Sequence, residues 1–238
     1  GAQAGSCVAG GGTYTCSGPA DALADVTQTL TPVGPLNVVT DPGFGIDTSV
    51  SGGNAFNLGS ANTTSIYFDD TNLSALTGAV NGIYVNNALG ASYAYLNTSG
   101  TITGVAGRGV NMFNFGSGST VIRNENAAGT ASVTGYLDGI YAYTDTSTTA
   151  LIISTNNVTA INDQGIDARH FGTGATTITA TNAAGTALVE GFSGGIVAFN
   201  LGVGTGSIHV TAQHVTAENG TAPHAHNVAG PRIHIHPR

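Results

Sequence analysis

An internal repeat constrains this chain more than any other feature. Residues 109–131 read GVNMFNFGSGSTVIRNENAAGTA, and 56 positions later residues 165–187 read GIDARHFGTGATTITATNAAGTA. The copies share Phe115/Phe171, Gly116/Gly172, Gly118/Gly174, Ile122/Ile178 and the run NAAGTA. They stay matched through Val133/Val189, Gly135/Gly191, Gly139/Gly195, Ile140/Ile196 and Ala142/Ala198. The repeat also divides. A signature of Gly, then Ile or Val, any residue, then a small or apolar one falls at Gly82, Gly109, Gly139, Gly165 and Gly195, at intervals of 27, 30, 26 and 30 residues. A looser member stands at Gly53. A unit this short buries no core alone, so neighbouring units must stack.

Within each unit the apolar residues alternate, as in Ile140-Tyr141-Ala142 and Thr177-Ile178-Thr179-Ala180. Period two is a strand with one buried face. Short strands, Gly and Asn at the corners and a period in the high twenties predict an all-β chain: a single-domain right-handed parallel β-helix of about 26–30 residues per coil and roughly eight coils. With parallel strands about 4.8 Å apart, the rod is expected to be about 40 Å long.

The organisation follows. Residues 1–40 do not match the repeat and read as an N-terminal cap with a disulfide loop and the first strands. Residues 41–220 read as continuous coils. Residues 221–238 form a His- and Pro-rich tail or last strand. Atypical end units are expected of a solenoid, whose open ends expose unpaired backbone. In the cap, 20–30 (ADALADVTQTL) holds some helix formers, and the two prolines at Pro32 and Pro35 argue against a central strand there.

Only 8% of residues are charged; there are five arginines and no lysine, and the net charge is −8. At 41% hydrophobic with so little charge, the chain lacks the composition of disorder. Ladders of Thr, Ser and Asn can cover flat solenoid faces instead. The acidic balance without a basic patch argues against nucleic acid or an anionic membrane as partner. No apolar run approaches the 18 or so residues that span a bilayer. Cys7 and Cys16 lack the further ligands of a metal site and are read as a disulfide, which places the chain in an oxidising, extracytoplasmic compartment. Its opening, Gly-Ala-Gln-Ala, fits a mature N-terminus left by export processing or a cut end.

The run Cys7-Val-Ala-Gly-Gly-Gly-Thr-Tyr-Thr-Cys16-Ser-Gly resembles the start of the secreted passenger of bacterial autotransporters (type V secretion), and the Gly-Ile-x-Ala coils are similar to such passengers. The resemblance covers nearly the whole chain through low-complexity motifs. It implies a β-helical passenger, secreted and exposed at the bacterial outer membrane. It also implies a C-terminal membrane barrel in the complete protein, which this chain does not contain.

Catalytic constellations are few. Asp69-Asp70 superficially resembles the paired aspartates of polygalacturonases, but adjacent strand residues face opposite ways and that family's companion motifs are missing. The pair is read as a turn or solvated edge. Asp163 and Asp167 are read as a corner turn. There is no nucleophile elbow, phosphate loop or dinucleotide fingerprint. His224/His226 and His234/His236 are each spaced to share a strand face, and imidazoles so placed can bind Zn, Cu or Ni. With no acid or Cys among them they are read as surface histidines. Five glycosylation sequons, at Asn62, Asn72, Asn97, Asn157 and Asn219, are no more than so Asn- and Thr-rich a chain yields by chance.

The sequence thus points to a non-enzymatic extracellular rod with no cofactor: a passenger-like adhesin, spacer or biofilm component. The alternative is a self-assembling fibre subunit stacking head to tail, and a polysaccharide-active enzyme ranks last. Partners would be surface glycans, host or matrix proteins, or further copies of the chain. Tyr141 and Tyr143, on one side of their strand, and Tyr93 and Tyr95 are the candidate contact residues. The competing reading is that each tyrosine only stacks on its neighbour in the next coil.

Overall fold

A computed structural model of the chain describes residues 4–60, 64–202, 206–220, 223–227 and 233–237. It is a parallel β-solenoid, with no helix among the described residues. Each coil contributes one strand to each of three sheets. Sheet A begins with Ser6–Gly10 and Thr13–Ser17 and runs from Leu36–Thr40 to Ile233–Pro237. Sheet C runs from Gly45–Asp47 to His214–Ala217, and sheet B from Gln28–Leu30 to His224–Asn227. Seven complete coils, each in the order A, C, B, lie between partial ones. The estimate of roughly eight from length alone counted the cap and the tail as coils.

The signature is a corner. Val110 is in register with Ile83 and Ile140, which is followed by Ile166 and Ile196, so the signature glycines form one column where sheet C turns into sheet B. A Cβ on Gly109 would sit 2.7 Å from the Gly139 carbonyl oxygen and run into Val133; one on Gly139 would sit 2.7 Å from that of Gly165 and run into Val158. The column therefore tolerates almost no side chain. Gly53 does not belong to it. Phe56 pairs with Ile83, so Ala55 is the residue beside Gly82, and Gly53 lies two positions earlier in a left-handed turn (φ 85°).

After each corner glycine, the first and third residues point inward. Ile83, Val85, Val110, Met112, Ile140, Ala142, Ile166, Ala168, Ile196 and Ala198 are all fully buried and meet the inward residues of sheets A and C. Burying each large aliphatic side chain contributes about 1.5–3 kcal/mol. Polar residues close the strands from inside: Asn87, Asn114, Thr144, His170 and Asn200 make a buried column at the end of sheet B. Asn87 Nδ2 donates to Asn114 Oδ1 (2.8 Å), and Asn114 Nδ2 donates to Thr120 Oγ1 (2.8 Å). The outer face of sheet C carries the expected ladder, with Thr77, Thr103, Thr134 and Thr159 in register.

The 56-residue period spans two coils because long and short turns alternate between sheets A and C. In the long turns, NAAGTA closes on itself: Thr130 N donates to Asn126 Oδ1 and Thr186 N to Asn182 Oδ1, with Gly129 and Gly185 left-handed (φ 72° and 74°). The single residues of the short turns brace them. Asn156 accepts from Asn126 N and donates to Thr181 O, and Gln213 accepts from Asn182 N and donates to Asn182 O. Unequal turns spread the sheet A register from 24 residues (Tyr14 to Val38) to 32 (Thr176 to Ile208), wider than the expected 26–30.

The N-terminal end is covered. Ser6–Gly10 and Thr13–Ser17 form an antiparallel hairpin through Gly11-Gly12, both with positive φ, as two-residue hairpin turns require. Cys7 and Cys16 face each other across it and are bonded. Residues 20–30 hold one tight turn, with Asp25 N donating to Asp21 O, rather than a helix. The Asp25 carboxylate, almost fully buried, accepts from Gly5 N (2.9 Å), Asp21 N (2.9 Å) and Asp47 N (2.7 Å). The prolines misled for 36–40: Pro35 falls just before Leu36–Thr40, which is paired on both sides, by Thr13–Ser17 and Ile66–Asp70. A proline at the threshold of a strand removes no ladder bond.

Candidate surface site on sheet B

The outer face of sheet B concentrates the aromatic residues. Its first outward column, the third residue of each signature, holds Asn57, Tyr84, Asn111, Tyr141 and Asp167 in register. The second column holds Asn86, Phe113, Tyr143 and Arg169, and Phe115 and Phe171 flank it at the next turn. Six of the chain's sixteen Phe and Tyr residues are joined here by ring contacts. Centroids lie 6.1 Å apart for Tyr84–Phe113, 5.7 Å for Phe113–Tyr141, 6.0 Å for Phe113–Tyr143 and 5.1 Å for Tyr143–Phe171.

Two of the five arginines converge on one ring of this strip. The guanidinium of Arg108 lies 4.3 Å from the Tyr141 centroid and that of Arg169 5.4 Å. Each is held by a buried carboxylate: Arg108 Nε donates to Asp138 (2.6 Å), and Arg169 donates to Asp167 through Nε (3.1 Å) and Nη2 (2.7 Å). Burial raises the Asp138 carboxyl above its ordinary value, against the hydrogen bond and charge of Arg108, and burial likewise raises the Tyr141 phenol. The Asp167 hydrogen bond raises the Arg169 guanidinium. The two carboxylates beside Tyr141, Asp138 and Asp167, are thus each paired with a guanidinium.

Asn111 stands between Tyr84 and Tyr141, 7% exposed, with Oδ1 buried and unbonded among the described residues. Next to it the surface opens into two clefts, of about 580 and 470 Å³. The first is lined by Thr27, Thr29, Asn54, Asn57, Asn81 and Tyr84 among others. The second also has Asn57 and Tyr84 in its wall, with Ser60, Asn86, Leu89 and Phe115.

The residues singled out from sequence are distributed unevenly. Tyr141 and Tyr143 do share the outward side of their strand, around buried Ala142, and both are engaged with neighbours in adjacent coils. Tyr95 is on sheet A, stacked on Tyr67 at 4.9 Å and 7°, and Tyr93 sits beside it just ahead of the strand, 41% exposed. Burial raises the Tyr67 phenol, with smaller contributions from Asp69, Tyr95 and Tyr93. His224 and His226 belong to sheet B, opposite Val197 and Phe199. His234 and His236 belong to sheet A, opposite His209 and Thr211. The two pairs therefore lie in different sheets, and their side chains fall outside the described residues. Among the described residues no group of three His, Cys, Asp or Glu is placed to hold a metal.

The aspartates need two corrections. Asp69 and Asp70 do face opposite ways, but Asp70 is no solvated edge: it is fully buried and accepts from Thr40 Oγ1 (2.7 Å) and Ser74 Oγ (2.8 Å), while Asp69 faces outward and accepts from Asn97. Asp163 is at a corner, accepting from Ser193, but Asp167 lies within Gln164–His170, held to Arg169. Tyr84, Asn111, Phe113, Arg108 and Asp138 were missed. The signal was present, since the third and fifth residues of the signature are the two outward columns. Comparison of the chain with protein-family models, curated proteins and solved structures finds no match.

Proposed function

We propose that the chain is a non-enzymatic extracellular rod, an autotransporter-like passenger acting as an adhesin, spacer or biofilm component, and that the outer face of sheet B is its contact surface. The observation that carries this reading is the chain of six rings along one face of the solenoid, longer than the Tyr67–Tyr95 stack on sheet A. A contiguous strip of half-buried rings on an outer face is a candidate interaction surface. The disulfide-closed hairpin supports an oxidising location. The guanidinium partners of Asp138 and Asp167 leave neither carboxylate as a free base or nucleophile on that face. Head-to-tail stacking is the less favoured reading, because the hairpin and the Asp25-bound segment cover the N-terminal end.

The test is retention of the labelled chain on bacterial cells, epithelial cells and matrix-coated surfaces, alongside a Phe113→Ser/Tyr143→Ser variant with an unchanged circular dichroism spectrum. Retention by the wild type and its loss in the variant is the expected result. Equal retention by both, or release of soluble fragments from the surface, would overturn the reading.

A further inference from the structure

The contact surface has a chemistry of its own at its N-terminal end, and it names a ligand class. We infer that the two clefts meeting at Asn57 and Tyr84 bind a neutral carbohydrate chain laid along sheet B, with Tyr84 as the stacking platform. The inference rests on the reading of sheet B as the contact face.

Three observations lead there. First, neither cleft has a charged side chain in its lining. The walls are amides (Asn54, Asn57, Asn81, Asn86), hydroxyls (Thr27, Thr29, Thr31, Ser60), two half-buried aromatic rings (Tyr84, Phe115) and the apolar side chains of Val80 and Leu89. Amides and hydroxyls donate and accept at once, which suits sugar hydroxyls, and a phenol ring face suits the C–H face of a pyranose. An anionic ligand would find no cation there, and the nearest guanidinium on that face, Arg108, is already held by Asp138.

Second, the two strands that floor the clefts are paired on both sides. Phe56–Gly59 lies between Gln28–Leu30 and Ile83–Asn87, and the last of these is paired onward to Val110–Asn114. An extended peptide binds best by adding to an unpaired edge; the floor strands offer none, and the last strand of the sheet, Gln28–Leu30, forms only the rim of the clefts. On that floor a ligand is read through side chains.

Third, the first outward column alternates amide and ring: Asn57, Tyr84, Asn111, Tyr141. Its spacing is that of the strands, about 4.8 Å. Asn111 is the short residue between two tyrosines, and its buried Oδ1 has no hydrogen-bond donor among the described residues. A buried acceptor left unmet is costly, and a hydroxyl entering between the flanking rings would satisfy it. The platform, the polar walls and the unmet acceptor are therefore in line along the solenoid axis.

Isothermal titration with neutral hexasaccharides (cellohexaose, maltohexaose, mannohexaose) and anionic ones (hexagalacturonate, a heparin hexasaccharide) tests this. At least one neutral hexasaccharide should bind with an affinity that molar sodium chloride changes by less than about two-fold. Tyr84→Ala should weaken it about ten-fold and Tyr84→Phe much less, because the ring is the contact. Asn57→Ala should weaken it several-fold, and Tyr67→Ala, on sheet A, should leave it unchanged. Salt-sensitive binding of an anionic hexasaccharide alone would overturn the ligand class. Binding of no hexasaccharide, with the wild type still retained on matrix or cell surfaces through Phe113 and Tyr143, would overturn this inference and leave the contact-face reading standing. Loss of both would overturn both.

Discussion

Gly139→Ala tests the corner column directly. A Cβ there would run into Val158 Cγ1 and sit 2.7 Å from Gly165 O and 3.2 Å from Thr159 O. Favourable carbon contacts begin at about 3.5 Å, so the oxygens would be overlapped by about 0.8 and 0.3 Å. Neither neighbour yields easily. Val158 is fully buried and stiff about χ1. Gly165 belongs to the coil whose Gln164 carbonyl accepts from Gly139 N at 3.2 Å, so retreat stretches that bond. Overpacking of this kind costs about 1–3 kcal/mol, and a weakened ladder bond adds up to about 1 kcal/mol. Reduced unfolded-state entropy offsets about 0.4–1 kcal/mol. The net loss is about 2 kcal/mol, or about 4–8 °C in Tm for a domain of this size.

Gly34→Ala is the control: nothing lies within 4 Å of its added Cβ, its φ is not left-handed, and its effect should stay within about 0.5 kcal/mol. Denaturant titration followed by far-UV circular dichroism measures both variants. Amide exchange at Ile140 and Ile166 shows whether the loss is local to the corner, since stacked coils can open separately. A Gly139→Ala midpoint equal to that of Gly34→Ala would refute the steric account of the signature.

Two further outcomes follow from buried polar groups. His170 is fully buried with Nδ1 2.5 Å from Thr144 Oγ1, and burial holds its imidazole below the ordinary value, against a hydrogen bond with the Gly174 backbone. The folded state therefore binds fewer protons than the unfolded state, whose histidine titrates near about 6.5. The stability this group contributes is complete above that value and is lost as pH falls below it. His170→Asn, which restores the residue type of Asn114 and Asn200 in the same column, should match the wild type in pH dependence above neutrality and lose less stability toward pH 5. Parallel denaturation curves across that range would refute this. Asp25→Ala should strip three backbone donors of their acceptor and destabilise the cap by about 2–4 kcal/mol. Amide exchange should speed up at Gly5, Asp21 and Asp47 and stay unchanged at Ile166. Unchanged protection at the three amides would show that the carboxylate does not hold the cap.

The sequence carried the architecture because the solenoid writes its constraints locally. Each signature glycine is forced by contacts at one corner, each alternating Ile or Val by one inward face, and both recur at the interval of the sheet B register itself. The pairing of Cys7 with Cys16 and the shared side of Tyr141 and Tyr143 were legible for the same reason: both depend on residues near in the chain. Asp70 was misplaced because alternation says only that it opposes Asp69, and not that its side is the interior. Gly53 was misaligned because Ala55, small enough for the first corner, hides the true register there.

Which residues stand next to one another on sheet A, and what the sheet B columns pack against, was decided by tertiary structure alone. Turns of unequal length vary the step from 24 to 32 residues on sheet A, so no fixed period aligns Tyr67 with Tyr95. Backbone ladder bonds set that register. The ring strip, the Arg108–Tyr141–Arg169 stack and the charge-free clefts exist only through it, because each is assembled from side chains a coil or more apart in sequence and about a strand spacing apart in space.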